Sequence, residues 1–136
     1  MTLRKRTLLG TALGLAAVCT GCGMTASGRP LMPRYAYSTP SIRAGYEFAI
    51  SAGGDALRQL PCYCSCAALG HTHLRDCFIG DDGVFDPHAA GCEVCVDEAL
   101  DAKRMLSQGT SLKEIRAFID AKYSKIGPGT NTPPVV

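Results

Sequence analysis

Six of the eight cysteines and all three histidines of this chain lie between Cys62 and Cys95. That clustering constrains the fold more than any periodicity does. Thiols and imidazoles gathered so closely suit an ion, sulfur–sulfur bonds or redox pairing, though a single histidine such as His73 reads equally as a solvated loop residue. The segment PCYCSC, Pro61 to Cys66, puts three thiols at every second position. In an extended segment all three point one way, whereas in a helix Cys62 and Cys66 are neighbours and Cys64 faces away. Pro61 forbids continuation of the short helical turn DALRQL capped by Asp55, which slightly favours an extended or turning backbone for the cysteines, while a proline there can equally start a new helix. Asp86 before Pro87 reads as an N-cap followed by proline at the first helical position, and predicts a helix running to Gly109. On that helix His88, Cys92 and Cys95 stand at i, i+4 and i+7, within about 60° of one another. They also sit near the positive end of the helix dipole, which is expected to lower thiol pKa values. His71, His73 and Cys77 lie on the intervening loop.

Three kinds of chemistry fit these groups. CxCxC and HxxxCxxC can converge on a soft or borderline ion, Cu(I) or Zn(II), because thiolate and imidazole select such ions over hard cations. Nine candidate ligands suffice for two four-coordinate sites or for one multinuclear Cu(I)–thiolate cluster. Alternatively, in an oxidising compartment the six cysteines form three disulfides, pairing Cys62, Cys64 and Cys66 with Cys77, Cys92 and Cys95, since bonds within CxCxC are strained. The third chemistry is thiol–disulfide exchange at CEVC, Cys92 to Cys95. Disulfides leave the gathering of the histidines unexplained, and metal binding is the leading expectation.

The N-terminus speaks for export. MTLRKR carries Arg4, Lys5 and Arg6, and the uncharged apolar run TLLGTALGLAAVC follows, too short for a membrane-spanning helix. The run closes on CTGC, which resembles the lipobox of bacterial lipoproteins and makes Cys22 the lipidated residue. Residues 1–21 are therefore expected to be a lipoprotein signal peptide and residues 22–40 a Gly/Pro/Ser-rich tether. The anchored protein would sit on the extracytoplasmic face of the cell membrane. The whole chain has a net charge of +2. Without the three cations of the leader it is close to neutral, and with no Lys/Arg cluster and no Trp it offers nucleic acid no surface.

The remaining pattern is helical. Thr39 or Ser41 can cap SIRAGYEFAISA, with Ile42, Tyr46, Ala49 and Ile50 on one face and Gly53 and Gly54 as the stop. Phe78-Ile79 and Val84-Phe85 flank GDDG as a minimal hairpin. Ser111 and Glu114 form a capping box that opens a last helix bearing Leu112, Ile115, Ile119 and Tyr123 on one stripe. This helix and the one before it, joined by QGTS, predict an antiparallel helical hairpin. The fold class is all-α, a small helical domain over residues 41–126 with a long Cys/His-rich loop. The proline-rich residues 127–136 are expected to be a disordered tail. Its core is small for its length, so a staple is expected.

PCYCSC, Gly70-His71, Asp76-Cys77-Phe78, His88 with CEVC, GTSLKEIRAFIDAKY and a final TPP, in this order, resemble the bacterial lipoproteins named for a PCYCGC motif. The resemblance implies a lipid-anchored, cysteine-rich domain and assigns the family's cysteine and histidine positions to Cys62, Cys64, Cys66, His71, Cys77, His88, Cys92 and Cys95. Ser65 stands where the family has glycine, a departure that matters if that residue takes positive φ. His73 falls outside the pattern. CxxC at the head of a hairpin ending in GxSxxEI is also similar to the thiol subunits of cytochrome c maturation, which sustains exchange as the alternative, alongside a disulfide-stapled interaction module. The expected function is binding of Cu(I), or else Zn(II), for storage, sensing or delivery. Those eight residues are the ligands, the membrane and a metal donor or acceptor protein the partners, and no enzyme activity is expected, since no catalytic set is evident.

Overall fold

The computed structural model describes Gly28 and residues 30–136, so the expected leader, Cys22 and the first part of the tether lie outside the described residues. Among these residues the protein is helical, with no strand: α1 spans Pro40–Ala49, α2 Glu93–Ser107 and α3 Leu112–Tyr123. Short 3₁₀ helices fill the gaps at Arg34–Tyr37, Ala52–Gln59, Cys66–Leu69, Leu74–Cys77 and His88–Gly91. No helix of the described residues is long and apolar enough to cross a membrane.

Local chemistry explains the ends of the helices. Thr39 Oγ1 accepts the Ile42 N–H at 3.2 Å and Pro40 occupies the first turn of α1. Tyr46 and Ala49 of the expected face are buried, joined by Phe48, while Ile42 and Ile50 pack at its margin. At the far end the chain doubles back so closely that a Cβ on Gly54 would lie 2.3 Å from the Ala49 carbonyl oxygen, which only glycine permits. The hairpin forms as its sequence predicts. Ser111 Oγ accepts the Glu114 N–H at 3.4 Å while Glu114 Oε2 accepts the Ser111 N–H at 3.1 Å. Gly109, at φ 77°, lets its own N–H reach Leu106 O and the Thr110 N–H reach Met105 O, both at 3.0 Å, closing α2 in a Schellman turn. Asp101 then meets Lys122 Nζ at 2.6 Å and the Tyr123 hydroxyl at 2.7 Å, and Arg104 lies over the Phe118 ring, so α2 and α3 run antiparallel.

Four expectations need correction, the last of them at the C-terminus. The helix foreseen from Pro87 is broken: a 3₁₀ turn over His88–Gly91 ends at Cys92, whose backbone is extended (φ −129°, ψ 101°), and α2 starts at Glu93. Gly91 is a poor helix former, and Asp86 Oδ1 spends itself on the His88 N–H at 2.7 Å, an Asx turn and not the cap of a long helix. The hairpin around GDDG shrinks to one antiparallel bridge, Ile79 to Phe85, because Asp82 Oδ1 takes the Val84 N–H and holds the turn tight. The fold also begins earlier than residue 41: Ala36 is buried and the Tyr35 hydroxyl donates to Phe85 O at 3.1 Å.

Residues 127–136 are not a loose tail. The Thr130 N–H donates to Cys62 O and Thr130 Oγ1 accepts the Cys62 N–H, both at 3.0 Å, and the Thr132 hydroxyl donates to Thr72 O at 2.7 Å. Arg116 of α3 holds the segment from outside through Pro133 O at 3.0 Å. A Cβ on Gly129 would lie 2.8 Å from the Tyr63 ring, so the strap lies flat on the cysteine segment. Leu57, Leu60, Leu74, Phe78, Ile115 and Ile119 form one core with Cys62, Cys66, Cys77 and Cys95, and the thiols are part of it.

Two substitutions test these local readings. Ser65 sits at φ 66°, ψ 19°, the left-handed conformation that reverses the chain between Cys64 and Cys66. Ser65→Gly removes its Cβ strain and is expected to stabilise the fold by about 0.5–1 kcal/mol in denaturant titration, after allowing for the freer unfolded chain. Thr130→Val leaves the buried Cys62 N–H without an acceptor and is expected to cost about 1–3 kcal/mol, while Thr130→Ser stays near the parent. A valine variant as stable as the parent contradicts the strap.

Candidate metal centre

The six thiols of the described residues are all unpaired and lie in contact with one another. Beyond Leu60, whose backbone is extended (φ −111°, ψ 134°), Pro61 to Tyr63 have no helical structure and bring Cys62 into the core. Tyr63 turns outward, its hydroxyl on Asp120 at 2.7 Å. Ser65 then reverses the chain, leaving Cys64 half-exposed and burying Cys66 at the head of its own turn. Cys77 enters from the end of the Leu74–Cys77 turn, 3.5 Å from Cys66. Cys95 comes from the first turn of α2, and Cys92 caps it.

Two groups of four donors result. Cys62, Cys64, Cys66 and Cys77 form one, and Cys64, His88, Cys92 and Cys95 the other, the donor atoms of each lying within 4.8 Å of one another. Cys64 belongs to both. Its sulfur is 3.3 Å from Cys62, 3.4 Å from Cys95 and 3.2 Å from His88 Nε2. Cys95 has three sulfur neighbours, Cys62 and Cys64 at 3.4 Å and Cys92 at 3.1 Å. A disulfide joins two sulfurs at about 2.05 Å and excludes a third, whereas ligands about 2.3 Å from one tetrahedral ion lie about 3.8 Å apart. The sulfurs stand a few tenths of an ångström inside that edge, so the residues fit an ion with small adjustment. Four thiolates in the first group, and three thiolates with one imidazole in the second, are both closed, tetrahedral donor sets of soft-metal type, and these clusters can hold metal ions.

Seven of the eight expected ligands thus fall in the two groups. The convergence of His88, Cys92 and Cys95 comes from the break at Cys92 and not from one helical face. His71 stands one step back: its Nδ1 lies 3.4 Å from Cys77 Sγ and its Nε2 3.4 Å from Asp86 Oδ2. Asp86 also holds the His88 N–H, so one carboxylate positions both imidazoles. His73 lies apart with Asp76 and Asp81, a third group of donors. There Asp76 already accepts from Thr72 and His73 backbone N–H groups, and Asp81 pairs with Arg58.

The electrostatics differ from the helix-dipole expectation. Cys64 is drawn down, to about 3, by its interaction with the Cys77 thiol against the cost of burial, with help from His88 and Cys62. Hydrogen bonds from Cys66 and Cys77 favour a Cys62 thiolate, but its bond to Cys95 and its burial prevail and push it up to about 12. Cys66 rises to about 12 chiefly through its hydrogen bond to Cys62. Cys77 is raised by the thiols of Cys62, Cys64 and Cys66 around it, and Cys92 by burial. The neutral form is thus favoured at Cys62, Cys66, Cys77 and Cys92 and the charged form at Cys64.

Glu98 escaped the sequence reading. It is fully buried on α2, one turn beyond Cys95; its Oε1 accepts the Tyr63 N–H at 2.9 Å and its Oε2 has no partner. Burial lifts its pKa to about 8, which favours its neutral form beside the sulfurs. Its i+3 spacing from Cys95 was the available signal, masked by the polar look of Asp97-Glu98.

The chain matches the family model described as a protein of unknown function with PCYCGC motif, over residues 17–135. No curated protein and no solved structure gave a match. The family's motif glycine is Ser65 here, at the one described non-glycine residue with positive φ. The match takes in both donor groups and the Thr130 strap, and the chain belongs to the PCYCGC-motif family.

Proposed function

We propose that this protein binds soft d10 metal ions, Cu(I) foremost, and stores them or delivers them to a partner. It does so while anchored through a lipidated Cys22 on the extracytoplasmic face of the cell membrane. One observation carries the reading: Cys95 has three sulfur neighbours and is bonded to none of them. Six sulfurs with a single imidazole make a donor set that favours Cu(I) over harder ions, and a shared sulfur such as Cys64 is how thiolates bridge neighbouring ions. His71 and Asp86 support the ligands from behind. Zn(II) is the second reading, favoured by the count of four donors in each group. Thiol–disulfide exchange draws on the 3.1 Å approach of Cys92 and Cys95, but a thiol raised by burial is a poor attacking group.

The test is metal analysis with intact mass and a thiol count on the full chain in detergent, with and without reductant. The expected result is two ions per processed, lipidated chain and, once the metal is stripped under denaturing conditions, six reactive thiols, those of Cys62, Cys64, Cys66, Cys77, Cys92 and Cys95. Metal-free protein whose mass drops by the hydrogens of three disulfides contradicts the proposal. Copper against zinc content then decides the ion. Because loading must displace protons from thiols raised as high as about 12, affinity is expected to rise with pH, by about tenfold per unit for each proton displaced. His88→Ala should weaken binding of one ion by at least about tenfold and leave the other, a loss that a disulfide scaffold would not register.

A further inference from the structure

The two donor groups are alike in number and unlike in access. In the first, Cys62 and Cys77 are fully buried and Cys66 is 2% exposed. The strap covers this group: Thr130 pairs with Cys62 on both its N–H and its carbonyl, and a Cβ on Gly127 would lie 2.7 Å from Ser65 Oγ. In the second group only Cys95 is buried, whereas Cys64, His88 and Cys92 all keep partial exposure. Cys92 lines a groove of about 660 Å³ between the start of α1, at Thr39 to Ile42, and the segment Ala89–Glu93. That groove reaches Cys92, a ligand of the second group alone, while the first group meets solvent only through the shared Cys64.

Resting on the two-ion thiolate reading above, we infer that the centre is divided in kinetics. The ion held by Cys64, His88, Cys92 and Cys95 is the exchangeable cargo, and the ion held by Cys62, Cys64, Cys66 and Cys77 is retained. Because Cys64 is shared, departure of either ion leaves the other with four donors. The order of departure is therefore set by access and not by donor count. A thiolate-bound d10 ion is handed on by ligand exchange, in which an incoming thiolate must touch the ion before an old ligand leaves. At the outer position an acceptor thiol arriving through the groove gives up its proton and forms a metal–sulfur bond. The bond to Cys92 breaks and its sulfur takes up a proton, and no electron moves. Repetition at Cys95, with loss of the imidazole and of the bridge to Cys64, completes the transfer. The acceptor class is thus a thiol ligand, a small thiol or a cysteine pair of another protein. At the inner position the same attack first requires the Thr130 strap to open.

The full chain in detergent micelles, loaded anaerobically with 63Cu(I), is challenged with excess 65Cu(I) as its glutathione complex and followed by native mass spectrometry. Two ions should load, and one should exchange at least tenfold faster than the other. Cys92→Ser should remove the fast ion and keep the slow one, and Thr130→Val should speed the slow one. A single common rate for both ions in the parent chain overturns the inference whatever the variants do, as does loss of the slow ion in Cys92→Ser. A chain that retains no copper before the challenge overturns the metal reading itself, a result visible in the first spectrum.

Discussion

Six sulfur atoms share one small volume of the core, and this is the constraint on which the rest of the structure depends. Packed at 3.1–3.5 Å, they cannot all carry charge unless a cation lies among them. Neutral, they are a modest hydrophobic filling; ionised around metal, as proposed, they would be the staple that a core of this size needs. The left-handed turn at Ser65, the break at Cys92 and the strap at Thr130 each point a sulfur inward. None of them is required by the helices alone. The neutral Glu98 belongs with these devices, since it ties down the Tyr63 backbone beside the cluster without adding a charge.

If the cluster holds metal as proposed, stability and occupancy are coupled. The hairpin of α2 and α3 and the cap of α1 are satisfied within their own segments, through Ser111, Glu114, Gly109 and Thr39. The segment from Cys62 to Cys92 has little of that local support, being short 3₁₀ turns and one isolated bridge. What unites it is the sulfur cluster and the strap. Metal binding to such a segment contributes directly to folding free energy, so the apo centre is the part of the molecule expected to loosen first.

What the sequence revealed and what it hid divide along the same line. The capping box at Ser111 and the Thr39 cap are chemistry within four residues, and they were legible. So was the gathering of cysteines and histidines, because clustering in sequence survives any backbone path. Hidden were arrangements set by distant partners. A Thr in TNTPP gives no local sign that its N–H and hydroxyl will pair with a backbone 68 residues away. The continuous helix at Pro87 was a fair reading of propensity, yet the Asx turn at Asp86 and the weakness of Gly91 let the chain break and place Cys92 differently. Ser65 shows a middle case: its significance depended on the sign of φ, which only the fold supplies.

X-ray absorption at the copper edge of the loaded full chain reports most directly on whether the sulfurs share ions. A two-ion thiolate centre predicts a first shell dominated by sulfur at about 2.3 Å, a minor nitrogen contribution from His88, and a copper–copper vector through the shared Cys64. A first shell dominated by oxygen or nitrogen would contradict the centre described here.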